Sequence, residues 1–442
     1  MSKESHKISW AILFIVPFGI LILYYLAFYP GCYSTDSFAY KIYFNDHHPL
    51  FFLLYLKALK VILLGFDGYI LMNLLLYSLI LARTLIFFLN KGGNFKVLIL
   101  FSVIFSIIPN IGFMLVVYWK DIIYGISIFY FSFLLIYYVE AVKGKGSISK
   151  LFFYELFLAT IFIIGTRHNG IVVVLFSFCV LFFCFKNARA KFVLVFSSAF
   201  ILNQIIIFTA LQFGGATKTW MTFDHILVKH LSTFFYEKKL DKEGIQVLAQ
   251  IMPLDSFKSQ FSYYSHDGYA YGPNGNQYRE NVHLLNSQIR NAFWRNVKDK
   301  PLTFLKSEFM MTELLWSPVP FKNSFRNTYC LDCGGEKLSF LRSSMLKLIL
   351  LSDQIKKPFY TRLIFWSGAF QIWVLLFLFS YIAYRYGFYW TLPFIPLIGN
   401  IISLFAALVS QEFRYVFPEV LMSFIMFSYL YHLSSIKQLK KC

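Results

Sequence analysis

Leu50-Phe51-Phe52-Leu53-Leu54-Tyr55-Leu56-Lys57-Ala58-Leu59-Lys60-Val61-Ile62-Leu63-Leu64 is the stretch on which the topology of this chain turns. It opens like a membrane span, but Lys57 and Lys60 interrupt the apolar run within two turns. The surroundings are not those of a soluble protein. Of the 442 residues, 58% are hydrophobic, 21% aromatic and only 14% charged, and the mean hydropathy is +0.60, values that belong to a polytopic helical membrane protein.

Apolar runs long enough to cross about 30 Å of hydrocarbon predict about ten spans. They lie near 9 to 29, 68 to 89, 97 to 118, 122 to 140, 151 to 166, 170 to 185, 192 to 212, 363 to 384, 388 to 409 and 414 to 433. The run at 9 to 29 exceeds a signal-peptide core and is expected to stay as a signal anchor. If 50 to 64 lies at the interface or re-enters, the basic connections all share one side. These carry Lys3 and Lys7, Lys91 and Lys96, Lys143, Lys145 and Lys150, Lys186, Arg189 and Lys191, Arg385, and Lys437, Lys440 and Lys441. That side is cytoplasmic by the positive-inside rule. If 50 to 64 spanned, every later loop would invert, so the non-spanning reading is preferred. The formal charge of +19 is thereby a record of topology and calls for no nucleic-acid partner.

This parity puts four ionisable connections on the outer face. The first contains Tyr29-Pro30-Gly31-Cys32-Tyr33-Ser34-Thr35-Asp36-Ser37 and Asn45-Asp46-His47-His48-Pro49; the others are Lys120-Asp121, Arg167-His168-Asn169 and Glu412-Phe413-Arg414-Tyr415. Asp36 and Asp46, partly desolvated beside the hydrocarbon, could act as bases or metal ligands, or merely cap helix ends. Asp46-His47-His48-Pro49 could bind a divalent metal or a phosphate, or be an interfacial turn in which Pro49 opens the next helix; adjacent histidines diverge, so at most one faces a site. Lys120-Asp121 taken alone reads as a local ion pair or interface anchor, whereas Arg167-His168-Asn169 suits an anion, Arg offering a planar fork to phosphate oxygens. Arg83 and Glu155, nearer the other ends of their spans, read as snorkelling side chains. Holding a lipid-linked phosphate while deprotonating a hydroxyl needs cations such as Lys120, Arg167 and Arg414 together with carboxylates such as Asp36, Asp46, Asp121 and Glu412.

Residues 213 to 361 form the one large hydrophilic segment, expected outside and α-rich, between an N-terminal membrane part at 1 to 212 and C-terminal helices with a basic tail at 362 to 442. Helices are expected over about Ile226 to Met252 and Asn281 to Trp316, the second broken at Pro301, with Tyr271-Gly272-Pro273-Asn274-Gly275-Asn276 as a loop. Of six cysteines, Cys330 and Cys333 form the lone C-x-x-C, so zinc spacing is lacking. An oxidising compartment would favour a disulfide there or to Cys32, free thiols being the alternative.

The order of these motifs resembles the GT-C superfamily, integral-membrane glycosyltransferases that use polyprenyl-phosphate-linked sugars, and is similar to a bacterial branch of it. The resemblance rests on Pro30-Gly31, Ser34-Thr35-Asp36-Ser37, Asp46 with His48-Pro49, Lys120-Asp121, Arg167-His168-Asn169-Gly170 and Arg414-Tyr415, and extends through the external segment. His47 stands where an aromatic residue is more usual, and Leu50 where a second proline is common. The resemblance implies a GT-C-like fold with interfacial helices in the first external loop and an inverting transfer of sugar to an envelope glycan, lipid or protein, at the outer face of a bacterial plasma membrane. Asp36 would be the base; Asp46 and His48 would orient the donor or, with Asp36, hold a divalent cation. Lys120, Asp121, Arg167, His168, Asn169, Glu412, Arg414 and Tyr415 would line the donor phosphate. An envelope-polysaccharide polymerase or ligase, and a flippase or transporter of lipid-linked sugars without chemistry, are the alternatives.

Overall fold

The computed structural model describes residues 3–62, 67–144, 146, 148–217, 223–318, 339–353, 359–408 and 410–439. Helices and short 3-10 turns make up every regular element among them, joined by three isolated β-bridges. Seven helices are long and apolar enough to cross a membrane: Lys7–Ala27, Gly68–Asn90, Lys120–Lys143, Lys186–Gln212, Gly368–Tyr386, Phe388–Ala407 and Phe413–Ile436. The protein is a multi-pass helical membrane protein.

The difference from about ten spans has three local causes. The run at 97 to 118 is two helices, Phe95–Ile107 and Pro109–Leu115, bent by 63°, because Pro109 has no N–H to continue the ladder. The Phe105 carbonyl, which loses its Pro109 partner, accepts from Tyr77 Oη at 3.3 Å; Tyr24 Oη donates to the Ile107 carbonyl at 2.9 Å, and Gly112 lets the Tyr24 ring lie where a Cβ would come within 2.4 Å of it. Counting that pair as one span gives eight. The runs at 151 to 166 and 170 to 185 are helices Lys150–Thr166 and Gly170–Cys184 of 17 and 15 residues, rising about 26 and 23 Å, short of the hydrocarbon core. They pack on the Lys120–Lys143, Arg189–Gln212 and Ile395–Ala407 helices.

Leu50–Ile62 is a helix of 13 residues, about 20 Å long and too short to cross. It buries Leu50, Phe52, Leu53, Leu56 and Leu59 on one face, while Lys57 lies over the Phe44 ring at 3.3 Å. Arg83 does not snorkel alone: its guanidinium takes Glu155 bidentately at 2.8 and 2.9 Å and Tyr130 at 2.8 Å.

Residues 224 to 311 close a second core, centred on Val228, Leu231, Phe234, Leu248, Tyr269, Tyr278 and Ile289, all fully buried. Its first expected helix is two, Asp224–Tyr236 and Lys242–Ile251, because Asp241 caps the second by accepting from Gly244 N–H at 2.7 Å. Pro301 breaks the later run as expected, starting Pro301–Met311 after Asn286–Asp299. Gly275 and Asn276, read as loop, open the Gly275–Leu284 helix. Ser339–Asp353 packs on the first span and on Pro109–Leu115. Cys330 and Cys333 lie outside the described residues; Cys32 is disulfide-bonded.

Candidate active site

Ser34, not Asp36, caps the Thr35–Ile42 helix. Its Oγ accepts from Ser37 N–H, Ser37 Oγ accepts from Ser34 N–H at 2.9 Å, and Ser37 then donates to the Tyr118 carbonyl at 2.8 Å. Asp36 sits in the first turn, its carboxylate left for other work. The loop is stitched to the segment before Lys120: Cys32 N–H donates to Val116 O at 3.0 Å, Tyr118 N–H to Cys32 O at 2.9 Å, and Trp119 Nε1 to Ser34 Oγ at 2.5 Å. Those bonds fix Asp36 relative to Lys120 and Asp121.

At this end of the bundle the ionisable connections meet. Arg414 binds Asp36 through Nη1 and Glu412 through Nε, with Asp121 Oδ2 4.0 Å from Nε. Arg167 Nη1 reaches Asp121 Oδ1 at 2.9 Å. Fully buried Asp121 is therefore a shared counter-ion between two arginines, which removes it from direct contact with a substrate anion. Both guanidiniums lie over aromatic rings: Arg167 is 4.7 Å from the Tyr415 centroid and 5.3 Å from that of Tyr124, Arg414 5.0 Å from Trp119 and 5.1 Å from Tyr415. Such stacking holds a guanidinium plane while leaving its edge N–H groups for oxygens. Three cations and three carboxylates share the cluster.

Lys120 Nζ is 3.1 Å from His48 Nδ1. An ammonium only donates, so this contact sets the imidazole proton on Nε2. That buried Nε2 and the buried Tyr40 hydroxyl have no hydrogen-bond partner among the described residues, and the two rings meet edge to face at 4.6 Å. His47 stands at an angle to His48 and accepts at its carbonyl from His168 Nε2 at 3.3 Å. Burial, then the Lys120 charge, lowers all three imidazoles, His47 and His168 to about 4 and His48 further. They are neutral at pH 7. Burial would raise Asp36, but Arg414 and Lys120 outweigh it and hold the carboxyl below its ordinary value. Burial pushes Glu412 up to about 7 even with Arg414 against it, and Asp36, Asp267 and Asp121 add to the rise.

Two expected residues are held in other ways. Asn169 donates to Ser403 Oγ at 2.9 Å, joining the short Gly170–Cys184 helix to its neighbour. Asp46 is anchored by its backbone, its N–H donating to Thr217 O at 3.1 Å, while its charge acts on the His47 and His168 rings. Among the described residues no group of three or more His, Cys, Asp or Glu side chains is placed to hold a metal ion; Asp36 and His48, candidates for one, are engaged by Arg414 and Lys120.

No family model, curated protein or solved structure matches this chain.

Sequence reasoning passed over the aromatic residues Trp119, Tyr124 and Tyr40, which look like ordinary span-end and core residues. It also passed over the support behind Arg167, where Tyr124 Oη donates to Asn400 Oδ1 at 2.7 Å and Asn400 Nδ2 donates to Glu419 at 2.9 and 3.1 Å. The unit of residues 224 to 311 touches the same place: Ser410 Oγ donates to Asp267 Oδ2 at 2.9 Å, and Ser265 pairs with Ser410. One signal was available, the polar run Ser410-Gln411-Glu412 at the edge of an apolar span.

Proposed function

We propose that this protein is an inverting GT-C-type glycosyltransferase that moves a sugar from a polyprenyl-phosphate carrier to an envelope acceptor. The observation that carries the reading is the juxtaposition of Asp36 with Lys120, Arg167 and Arg414 at one end of the helix bundle, beside the unpartnered donors His48 Nε2 and Tyr40 Oη. In this reading the acceptor hydroxyl gives its proton to Asp36 as its oxygen bonds to the anomeric carbon, and the anomeric C–O bond to phosphate breaks with its electron pair leaving on phosphate. Phosphate needs no acid at neutral pH. It needs fixed positive charge, which the three cations supply in a dry site where such charge counts most. Donor phosphate competes with Asp36 for Arg414; as Arg414 swings its bond to phosphate, the freed carboxylate regains basicity. Cys32, disulfide-bonded at this end, supports an oxidising, outer-face location, as does the distribution of Lys and Arg over the connections.

The bend at Pro109 favours a second reading, a carrier of lipid-linked sugar without chemistry, because broken helices are frequent in transporters. One experiment separates the two: the full chain in proteoliposomes with a panel of radiolabelled polyprenyl-phosphate sugars, and Asp36→Asn alongside. Label moved to acceptor by the native chain and not by the variant supports the transferase. Lipid-linked label crossing the bilayer with no donor consumed overturns it in favour of the carrier.

A further inference from the structure

The external unit carries an apolar face that its own core does not use. In the Pro301–Met311 helix, Thr303, Ser307 and Met311 are buried against the unit, and on the opposite side Leu302, Leu305 and Phe309 are 78%, 47% and 55% exposed. At 100° per residue the three exposed side chains fall within an arc of about 60°. The inner face is tied down by Ser307 Oγ, 2.9 Å from His230 Nδ1, and by Glu308, 3.2 Å from His230 Nε2. The helix is amphipathic and its orientation is fixed.

Two tryptophans lead from this face to the membrane. Trp316 Nε1 donates to the Phe309 carbonyl at 2.9 Å, and Trp373 Nε1 donates to the Trp316 carbonyl at 3.1 Å. Trp373 belongs to the span Gly368–Tyr386 and is itself 55% exposed on that span's outside, about 8 Å from the helix start. Indole side chains at that depth mark the zone where hydrocarbon gives way to headgroups. The Trp316 ring also meets the Phe309 ring edge to face at 5.9 Å, so Trp373, Trp316 and Phe309 form one linked series, and an occupant that covers Trp373 lies next to Phe309.

We infer that the Leu302–Leu305–Phe309 face of the Pro301–Met311 helix lies in the outer interface of the bilayer, with phospholipid acyl chains as its partner. The external unit is then a half-sunk body and not a free one. A consequence for the site follows from the other end of this helix, where Gln411 Nε2 donates to the Met310 and Met311 carbonyls at 2.7 and 3.1 Å. Gln411 adjoins Glu412 and lies three positions before Arg414, so lipid contact at this helix positions the connection that carries them. The inference holds whichever reaction the site performs.

The test is photolabelling of the full chain in phosphatidylcholine nanodiscs doped with a phospholipid bearing a diazirine near the carbonyl end of one acyl chain. Adducts on Leu302, Leu305 and Phe309 are expected at least about fivefold above those on the Lys242–Ile251 helix of the same unit, and comparable to those on Phe377 in the adjacent span. Adducts at or below the Lys242–Ile251 level overturn the inference. Hydroxyl-radical footprinting of the same sample then identifies what does cover the face: oxidation as fast as at exposed Leu284 assigns it to water, and protection without adducts assigns it to a second copy of the chain.

Discussion

Asp36→Asn tests the chemistry most directly, because it removes a charge and a base while keeping the shape of the side chain. Removing a general base slows a reaction by roughly 10²- to 10⁴-fold, which is about 2.7 to 5.4 kcal/mol of barrier. The structural cost is smaller. A hydrogen bond to a charged group contributes about 1.5 to 3 kcal/mol; the amide oxygen still accepts from Arg414, and Arg414 keeps Glu412, so the loss in stability should be near 1 kcal/mol. The Asp36 carboxyl is held below its ordinary value, so its stabilising contribution is complete above about pH 4 and disappears as pH falls through the folded value. Native and variant should therefore differ by a constant amount near neutrality. The assay is label transfer in proteoliposomes at saturating donor, with thermal unfolding of the same preparations. Turnover within tenfold of native would refute the base assignment, and a stability loss above about 3 kcal/mol would assign Asp36 to architecture.

Glu412→Gln should change the pH profile. Burial raises Glu412 from 4.5 to about 7, so the native chain is favoured below about pH 4.5 and loses that advantage as pH rises through 7, on the order of 3 kcal/mol in all; unfolding measured from pH 4.5 to 8 should flatten in the variant, and an unchanged slope would contradict it. Arg167→Lys loses the stacks on Tyr415 and Tyr124 and the planar fork, about 1.5 kcal/mol, expected as a roughly tenfold rise in donor KM with kcat nearly kept. His48→Gln places an amide N–H near the Nε2 position and should retain most activity, whereas His48→Asn mimics Nδ1 and should lose about tenfold, the worth of one hydrogen bond of about 1.4 kcal/mol; equal loss in both variants would show that Nε2–H is not used.

Legibility in the sequence followed the range of the interaction. Apolar length marked the spans, and the interruption by Lys57 and Lys60 together with the one-sided distribution of basic connections reads Leu50–Ile62 as non-spanning. Asp36, Lys120, Arg167 and Arg414 could be named because a charge at the edge of an apolar run is conspicuous. What joins them could not. The pairing of Asp36 with Arg414 links positions 378 residues apart, and nothing in the local pattern specifies such a partner. Asp121 and Glu412 were read as contacts for a substrate, yet their nearest charges are Arg167 and Arg414. Asn169 reads with Arg167, but two residues further around the turn its side chain goes to Ser403. Pro109 was visible as a residue, its 63° consequence only as geometry.

The three β-bridges divide the molecule mechanically. Cys32 with Val117 and Asn45 with Thr217 tie the first connection to neighbouring parts of the bundle, whereas Ser265 with Ser410 joins the bundle to the unit of residues 224 to 311. Each is a handful of hydrogen bonds with a net worth of about 1 kcal/mol apiece, far weaker than either hydrophobic core they connect. The unit is also held by Gln411 on the Met310 and Met311 carbonyls and by Glu313–Trp316, which packs on Gly368–Tyr386 and buries Leu314 and Leu315 in the bundle core, so that side is firmly fixed while the Ser265–Ser410 side, one residue from Gln411 and two from Glu412, is a thin seam. Parting that seam costs only the Ser265–Ser410 and Ser410–Asp267 hydrogen bonds and leaves the Glu313–Trp316 packing in place.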